Sequence, residues 1–453
     1  MDSIKIVVTE VSAFPTLISN HCDKDENSHS QKKNLKGGNP AGVVILNENQ
    51  NYSCPDKKNE SFTLQLDDKK MQSISFQAGY SETVFVIPEK NQENNSNDQS
   101  KSTLQLRLRY FTPTGEVALC GHATIASMGY IKSYIPSMLP NGSSSFSTKR
   151  STFTNLDKAE YSIMTKACHQ SIRFESESIH KKSNKDTLNH TNSYSPTENI
   201  DTQNLNHFVW MTQNLPVFGK IFEKSDVEDI LSCLFQKNCD RDQNDYNIPV
   251  TINDLNMKRC PPRIVSTGLK DIMIYMRNPV VLENLIVDFT KMIELSNRYD
   301  VVGFHIFSFI KHDESKTETS RNKSKLTSNE TINFPPTDHR LHVVARNFGP
   351  RFGINEESAT GTSNCAMAAY LHQIGLLKSK SKSSVHCIST KEENEMSENT
   401  DILTCLVKQG HLMPKPSPSE IFVQLHVDQY TNDLKKIEVG GRYEIGQVRL
   451  ISI

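Results

Sequence analysis

No apolar run in the 453-residue chain approaches the roughly 20 residues needed to cross a bilayer's hydrocarbon, so a membrane partner is not expected. The N-terminus also lacks a basic flank and an apolar secretory core. MDSIKIVVTEVSAF alternates like a strand, which leaves the cytoplasm as the default location. An excess of charge of either sign is missing as well. Lysine and arginine number 51 against 52 aspartate and glutamate, and no basic stripe interleaves with aromatics, so nucleic acid is not an expected partner. The ten cysteines, at 22, 54, 120, 168, 233, 239, 260, 365, 387 and 405, include no Cys-x-x-Cys pair and no Cys/His cluster at zinc spacing. No metal is therefore expected, and most of the thiols read as reduced and inert. Cys120, beside a glycine and a histidine, is the one to treat separately. Asn59 opens an Asn-x-Ser sequon that matters only after secretion.

Apolar residues are also in short supply, at 36%, so part of the chain is expected to lie outside any core. Residues 20–36, 90–102, 141–152, 175–205, 311–332 and 377–401 are rich in Asn, Ser, Lys and Glu and read as surface-loop insertions. Long insertions cost little, because loop-closure entropy grows only logarithmically. Between them strand signals dominate: IKIVVTEVSAF, AGVVIL, ETVFVI, LQLRLRYF, KACHQSIRF, HFVWM, DIMIYM, VGFHIFSF, LHVVARNF, EIFVQLHV and YEIGQVRLI. Helices are fewer. SDVEDILSCLF opens with a capping box from Ser225 to Glu228, and LENLIVDFTKMIELSNRY carries helical spacing. GHATIASMGYIKSYI and GTSNCAMAAYLHQIGLL lean toward small or apolar residues, a composition that predicts enclosed helices.

RYFTPTGEVALCGHATIAS, residues 109–127, shares its outline with RNFGPRFGINEESATGTSNCAMAAYL, residues 346–371. Arg109, Phe111, Pro113, Glu116 and Gly121 in the first copy match Arg346, Phe348, Pro350, Glu356 and Gly361 in the second. Such a repeat predicts an α+β fold of two like lobes, each a sheet wrapped around one buried helix.

A helix start leaves backbone N–H groups unpaired at the positive end of the dipole, and so it attracts anions. Glycine there lets a ligand approach the backbone. If a pseudo-twofold axis relates the lobes, Gly121-His122 and Gly361-Thr362 face each other, and a small carboxylated molecule is the natural ligand between them. Taken alone, His122 is either a proton-exchanging group or a histidine satisfied by local hydrogen bonds. Glu356 and Glu357 read first as complements to the helix dipole, and Thr362 as a cap. Periodicity alone reads Glu82, between Ser81 and Thr83, as an exposed loop charge.

GGNPAGVVIL, YSETVFVI, the 109–127 segment, VSTGLKD, the 346–371 segment, KQGHLMPKPS and VGGRYEIGQVRLI, in this order, resemble the PhzF-like family, named for phenazine biosynthesis, within the diaminopimelate-epimerase-like fold. The resemblance covers both halves. It implies a cofactor-independent isomerase in which a carboxylate moves a proton between carbons of a bound acid, and it places the family's general acid/base on Glu82. Such a group needs a pKa raised by enclosure. The family's Gly-His falls on Gly121 and His122, and its Gly-Asn-Pro on Gly38, Asn39 and Pro40. Its acidic motif falls on residues 356–362, with Glu357 in place of Asp and Thr362 in place of Ser. The implied catalytic set is Glu82, His122, Glu357 and Thr362, with Asn39, Ser81, Gly121 and Gly361 binding substrate. A homodimer is implied by the family alone. Lobes are expected at 1–222 and 223–440, with 441–453 returning to the first.

Two other readings stay open. Cys120 matches by position one of the paired cysteines of diaminopimelate epimerases and proline racemases, yet its counterpart is Thr360, too weak an acid for two-base racemisation. Single-base epimerase or dehydratase chemistry at Cys120 remains, as does its role as a small packing residue. A binding protein that keeps the cleft without turnover is the third reading.

Overall fold

Strands and helices follow one another in two matched series in the computed structural model, which describes residues 5–20, 32–46, 66–89, 105–134, 160–176, 207–237, 247–310, 340–378 and 399–453. Polar segments 90–102, 141–152 and 311–332 lie outside the described residues, as do most of 20–36, 175–205 and 377–401. The first series holds β1 (Lys5–Ala13), β2 (Thr16–Asn20), β3 (Lys32–Lys36), β4 (Asn39–Ile45), α1 (Asp68–Ala78), β5 (Thr83–Glu89), β6 (Gln105–Phe111), β7 (Glu116–Val117), α2 (Gly121–Tyr134), β8 (Glu160–Met164), β9 (His169–Ser176), β10 (His207–Gln213) and β11 (Val217–Ile221). Next come α3 (Lys224–Leu231), β12 (Leu234–Lys237) and β13 (Asn247–Pro249). The second series holds β14 (Arg263–Ser266), β15 (Lys270–Tyr275), α4 (Pro279–Glu283), β16 (Leu285–Val287), α5 (Phe289–Tyr299), β17 (Gly303–Phe309), β18 (Arg340–Gly349), β19 (Ile354–Glu357), α6 (Gly361–Gln373), β20 (Thr400–Gln409), β21 (Ser419–Asp428), β22 (Leu434–Gly441) and β23 (Tyr443–Ser452). No helix among the described residues is long and apolar enough to cross a membrane.

The order of strand pairing repeats. β1 runs antiparallel to β4, β4 parallel to β5, and β5 antiparallel to β6; β6 pairs antiparallel with β7 and parallel with β8, and β8 to β9 to β10 continue antiparallel. β14, β15, β17, β18, β19, β20, β21 and β22 reproduce that order and those senses. The closing strands cross over: β11 pairs with β14, β23 pairs with β1, and β10 joins β22. Each series thus ends on the first strand of the other.

The sequence repeat becomes the same contact twice. Arg109 Nε donates to Glu116 at 2.8 Å and its guanidinium lies 5.2 Å over the Phe111 ring; Arg346 Nε donates to Glu356 at 2.8 Å and lies 5.1 Å over Phe348. Both pairs pin a strand hairpin ahead of a helix start. Residues of α2 and α6 share one apolar core with the inward faces of the strands, and every residue of α6 from Gly361 to His372 is buried. Their small side chains are what let strands pass so close. A Cβ on Gly129 would stand 2.4 Å from the Tyr443 ring.

Several local expectations are corrected. Ser225 is not a cap: it lies inside α3, whose N-cap position is Glu223, with no side-chain cap bond. Phe222 and Val227, both buried in one cluster, occupy the positions at which a hydrophobic staple sets where a helix begins. The helix expected over 282–299 is broken, because Leu285–Val287 pairs with β12 and Asp288 accepts from the Lys291 N–H to start α5 afresh. Sheet pairing there outweighs helical spacing. Within the polar segment 20–36, residues 32–36 pair with β2.

Candidate active site

Glu82 is where it is because of α1 and β4. Asp67 caps α1 through the Lys70 N–H, Gly79 ends it in the left-handed conformation at φ 72°, and the chain turns inward to β5. The Glu82 carbonyl accepts the Gly42 N–H at 3.0 Å. The residue is buried, 6% exposed, against the sequence reading of an exposed loop charge. Strand alternation does not reveal this, since the burial comes from a helix start some forty residues downstream.

That helix is α2. His122, in its first turn, is 4% exposed and places Nε2 3.3 Å from Glu82 Oε2. The contact brings the groups together without hydrogen-bond alignment, and Oε2 has no hydrogen-bond partner among the described residues. Cys120 Sγ lies 3.4 Å from His122 Nδ1 and is buried. Burial, with Glu82 pulling the other way, lowers the His122 pKa, which favours neutral imidazole. Burial first, then the charges of Glu82 and Glu357, pushes the Cys120 thiol well up, so the sulfur is held as a thiol.

The second helix tip brings Glu357. Its residue is half-buried and its carboxylate accepts from Thr360 Oγ1 at 2.7 Å. Burial, then the like charge of Glu82, lifts its pKa well above the usual carboxylate range. The tips converge: a Cβ on Gly268 would meet Leu119 Cδ2 at 3.5 Å and Thr362 Cγ2 at 3.8 Å. Polar bonds also tie the two motifs together. Asn39 Nδ2 donates to the Ala359 carbonyl at 3.1 Å, and Ser358 and Ser417 donate to the Gly38 carbonyl at 3.0 and 2.6 Å.

The structure places four of the expected residues as follows. Ser81, directly before Glu82 in the chain, is exposed. Asn39 spends its amide on the protein backbone. Thr362 does not cap α6; the N-cap is Thr360, whose hydroxyl is bonded to Glu357, while the Thr362 carbonyl accepts from Thr267 Oγ1 at 2.9 Å. Gly361 is tight for packing, since a Cβ there would lie 3.2 Å from Val439.

Sequence reasoning missed the supports. Gln409 at the end of β20 donates to the Glu357 carbonyl at 2.9 Å and to Thr360 Oγ1 at 3.0 Å, and its Oε1 accepts from Asn364 Nδ2 at 2.8 Å. Asp271, at the start of β15, accepts from the Ser363 hydroxyl in the first turn of α6. Gln409 occupies an inward position of the alternating strand β20 and Asp271 lies in the buried run of β15, places where a polar residue is itself a signal.

A model of the family described as phenazine biosynthesis-like protein matches residues 32–442. An uncharacterized isomerase of Clostridium acetobutylicum is 24% identical over 334 residues, 74% of each chain. Another, of Bacillus subtilis, is 37% identical over 91 residues, 20% of this chain and 22% of its own. Among solved structures, a PhzF-family phenazine biosynthesis protein of Bacillus anthracis matches over 100% of both chains with a TM-score of 0.56 at 19% identity, and so shares the α+β fold.

Proposed function

The chain belongs to the phenazine biosynthesis-like family, and from that premise we propose that it is an isomerase of a small carboxylated metabolite in which Glu82 moves the proton. One observation carries the reading: a buried carboxylate oxygen without a hydrogen bond among the described residues, 3.3 Å from His122, at the meeting point of two helix starts. Leaving such a group unsatisfied costs the fold on the order of 1–3 kcal/mol. A substrate C–H or hydroxyl is a partner that would use it. The substrate's carboxylate would lie against the N–H groups at the starts of α2 and α6, where both dipoles favour negative charge.

Glu82 then takes a proton from one carbon and returns it to another, which requires no net gain or loss. His122 and Glu357 flank the moving proton, and Gln409 and Thr360 hold Glu357 in place. Names given to relatives, uncharacterized isomerases of two bacteria, support the reaction class. Two-base racemisation through Cys120 is not part of the proposal, because its positional counterpart Thr360 carries a weakly acidic hydroxyl already bonded to Glu357.

The test is solvent exchange. Incubated in D2O with a panel of small carboxylic acids, the protein is expected to put deuterium into one of them. Glu82→Gln should slow that exchange by about 10²–10⁴-fold, the contribution of one positioned acid/base. Exchange in E82Q at the wild-type rate, or in no acid of a metabolite extract, defeats the assignment.

A further inference from the structure

Glu82, Cys120 and His122 offer one oxygen, one sulfur and one nitrogen whose ligand atoms all lie within 4.8 Å of one another, the only such group of three among the described residues. We propose that they form a site for a single zinc-class divalent ion, and that the ion and proton transfer at Glu82 exclude each other. The donor set is the first argument. Thiolate and imidazole suit zinc and similar borderline-soft ions, whereas magnesium and calcium take oxygen ligands.

Spacing is the second argument. Zn–S of about 2.3 Å and Zn–N or Zn–O of about 2.0–2.2 Å put tetrahedral ligand atoms roughly 3.3–3.6 Å apart. His122 Nε2 stands 3.3 Å from Glu82 Oε2, at tetrahedral spacing, whereas Cys120 Sγ stands 3.9 Å from Nε2 and 3.4 Å from Nδ1, so the thiol has to rotate from the Nδ1 side toward Nε2 for all three to meet at one ion. Thirdly, Glu82 Oε2 is buried and lacks a hydrogen bond among the described residues, which is what a ligand atom awaiting a cation looks like. The positive end of α2 opposes a cation with about half a charge, but a carboxylate and a thiolate in direct contact bring two negative charges against it. On binding, the sulfur gives its proton to solvent and forms the Zn–S bond, while His122 binds as neutral imidazole through Nε2. No electron changes hands.

Binding itself does not depend on the proposed isomerase activity, whereas the predicted inhibition rests on it. The probe is cobalt(II), added to the full chain, because a thiolate bound to it absorbs in the near ultraviolet. Wild type is expected to develop that band and saturate at one ion per chain, with zinc displacing it. Cys120→Ser should abolish the band. Glu82→Gln, which leaves the thiol in place, should keep a weaker site, its affinity down by more than the roughly 10–100-fold that loss of an outer-shell partner costs. Absence of a saturable band in wild type, its persistence in C120S, or unchanged affinity in E82Q would each overturn the site. If cobalt binds as expected but no acid exchanges deuterium, the ion site stands and the isomerase reading falls. If exchange proceeds undiminished with zinc bound, the claimed exclusion is wrong.

Discussion

Asp271 is a buried acid behind the tip of α6, 2% exposed, with the Ser363 hydroxyl donating to it. Burial raises its pKa to about 6, against the opposing pull of Ser363, the Gly303 N–H and Asn347. A folded-state value above the unfolded 3.8 means that the native state binds the proton more tightly. The stability this proton contributes is therefore complete below about pH 4 and is lost as pH rises through about 6. A rise from 3.8 to about 6 is worth roughly 3 kcal/mol. Asp271→Asn keeps an acceptor for Ser363 but cannot titrate, so its melting temperature should fall less steeply between pH 4 and 7 than that of wild type. Equal slopes in the two proteins would show that Asp271 is not the group responsible. The charge of Asp271 also helps to raise Glu357, so the acid has a reason to be there despite its cost.

At the scale of elements, α2 is a helix that could not survive alone on a surface, because it lacks a polar face. It is fixed by what surrounds it. Tyr443 of β23 lies across Gly129, and its hydroxyl is 2.8 Å from Ser133 Oγ one turn on. Alanine is the better helix former by about 1 kcal/mol, but here its methyl would overlap the ring at 2.4 Å. Overpacking costs typically 1–3 kcal/mol, so Gly129→Ala should lower the urea midpoint by the corresponding amount. A midpoint that rises instead would mean the ring yields freely. The same strand that crosses Gly129 pairs with β1, so α2 and its tip residues are held by the far end of the chain.

For the molecule as a whole, four of the polar segments join points that are already neighbours. Asn20 pairs with Lys32, Glu89 with Gln105, and Ser176 with His207, each pair bounding one segment. Phe309 likewise pairs with Val343 around residues 311–339. Replacing 311–339 by a four-residue turn shortens that connection about sevenfold, which loop-closure entropy puts at about 2 kcal/mol in favour of the shorter chain. The melting temperature should hold or rise and deuterium exchange should persist. A shortened chain that is insoluble or melts much earlier would show that the segment takes part in the fold.

The sequence by itself determined the strand alternation, the two small-residue helices and the Arg-x-Phe-x-Pro repeat, because each is set by side-chain period and size within a few turns of chain. It also placed Cys120, Gly121 and His122 together, since they are adjacent. Tertiary structure alone decided that Glu82 is buried against His122 and that Asn39 is bonded to Ala359, contacts whose partners lie 40 and 320 positions apart. Gln409 and Asp271 belong to the same class. Local pattern cannot specify which distant surface covers a side chain, and here the covering surface is the tip of a helix supplied by another part of the sheet.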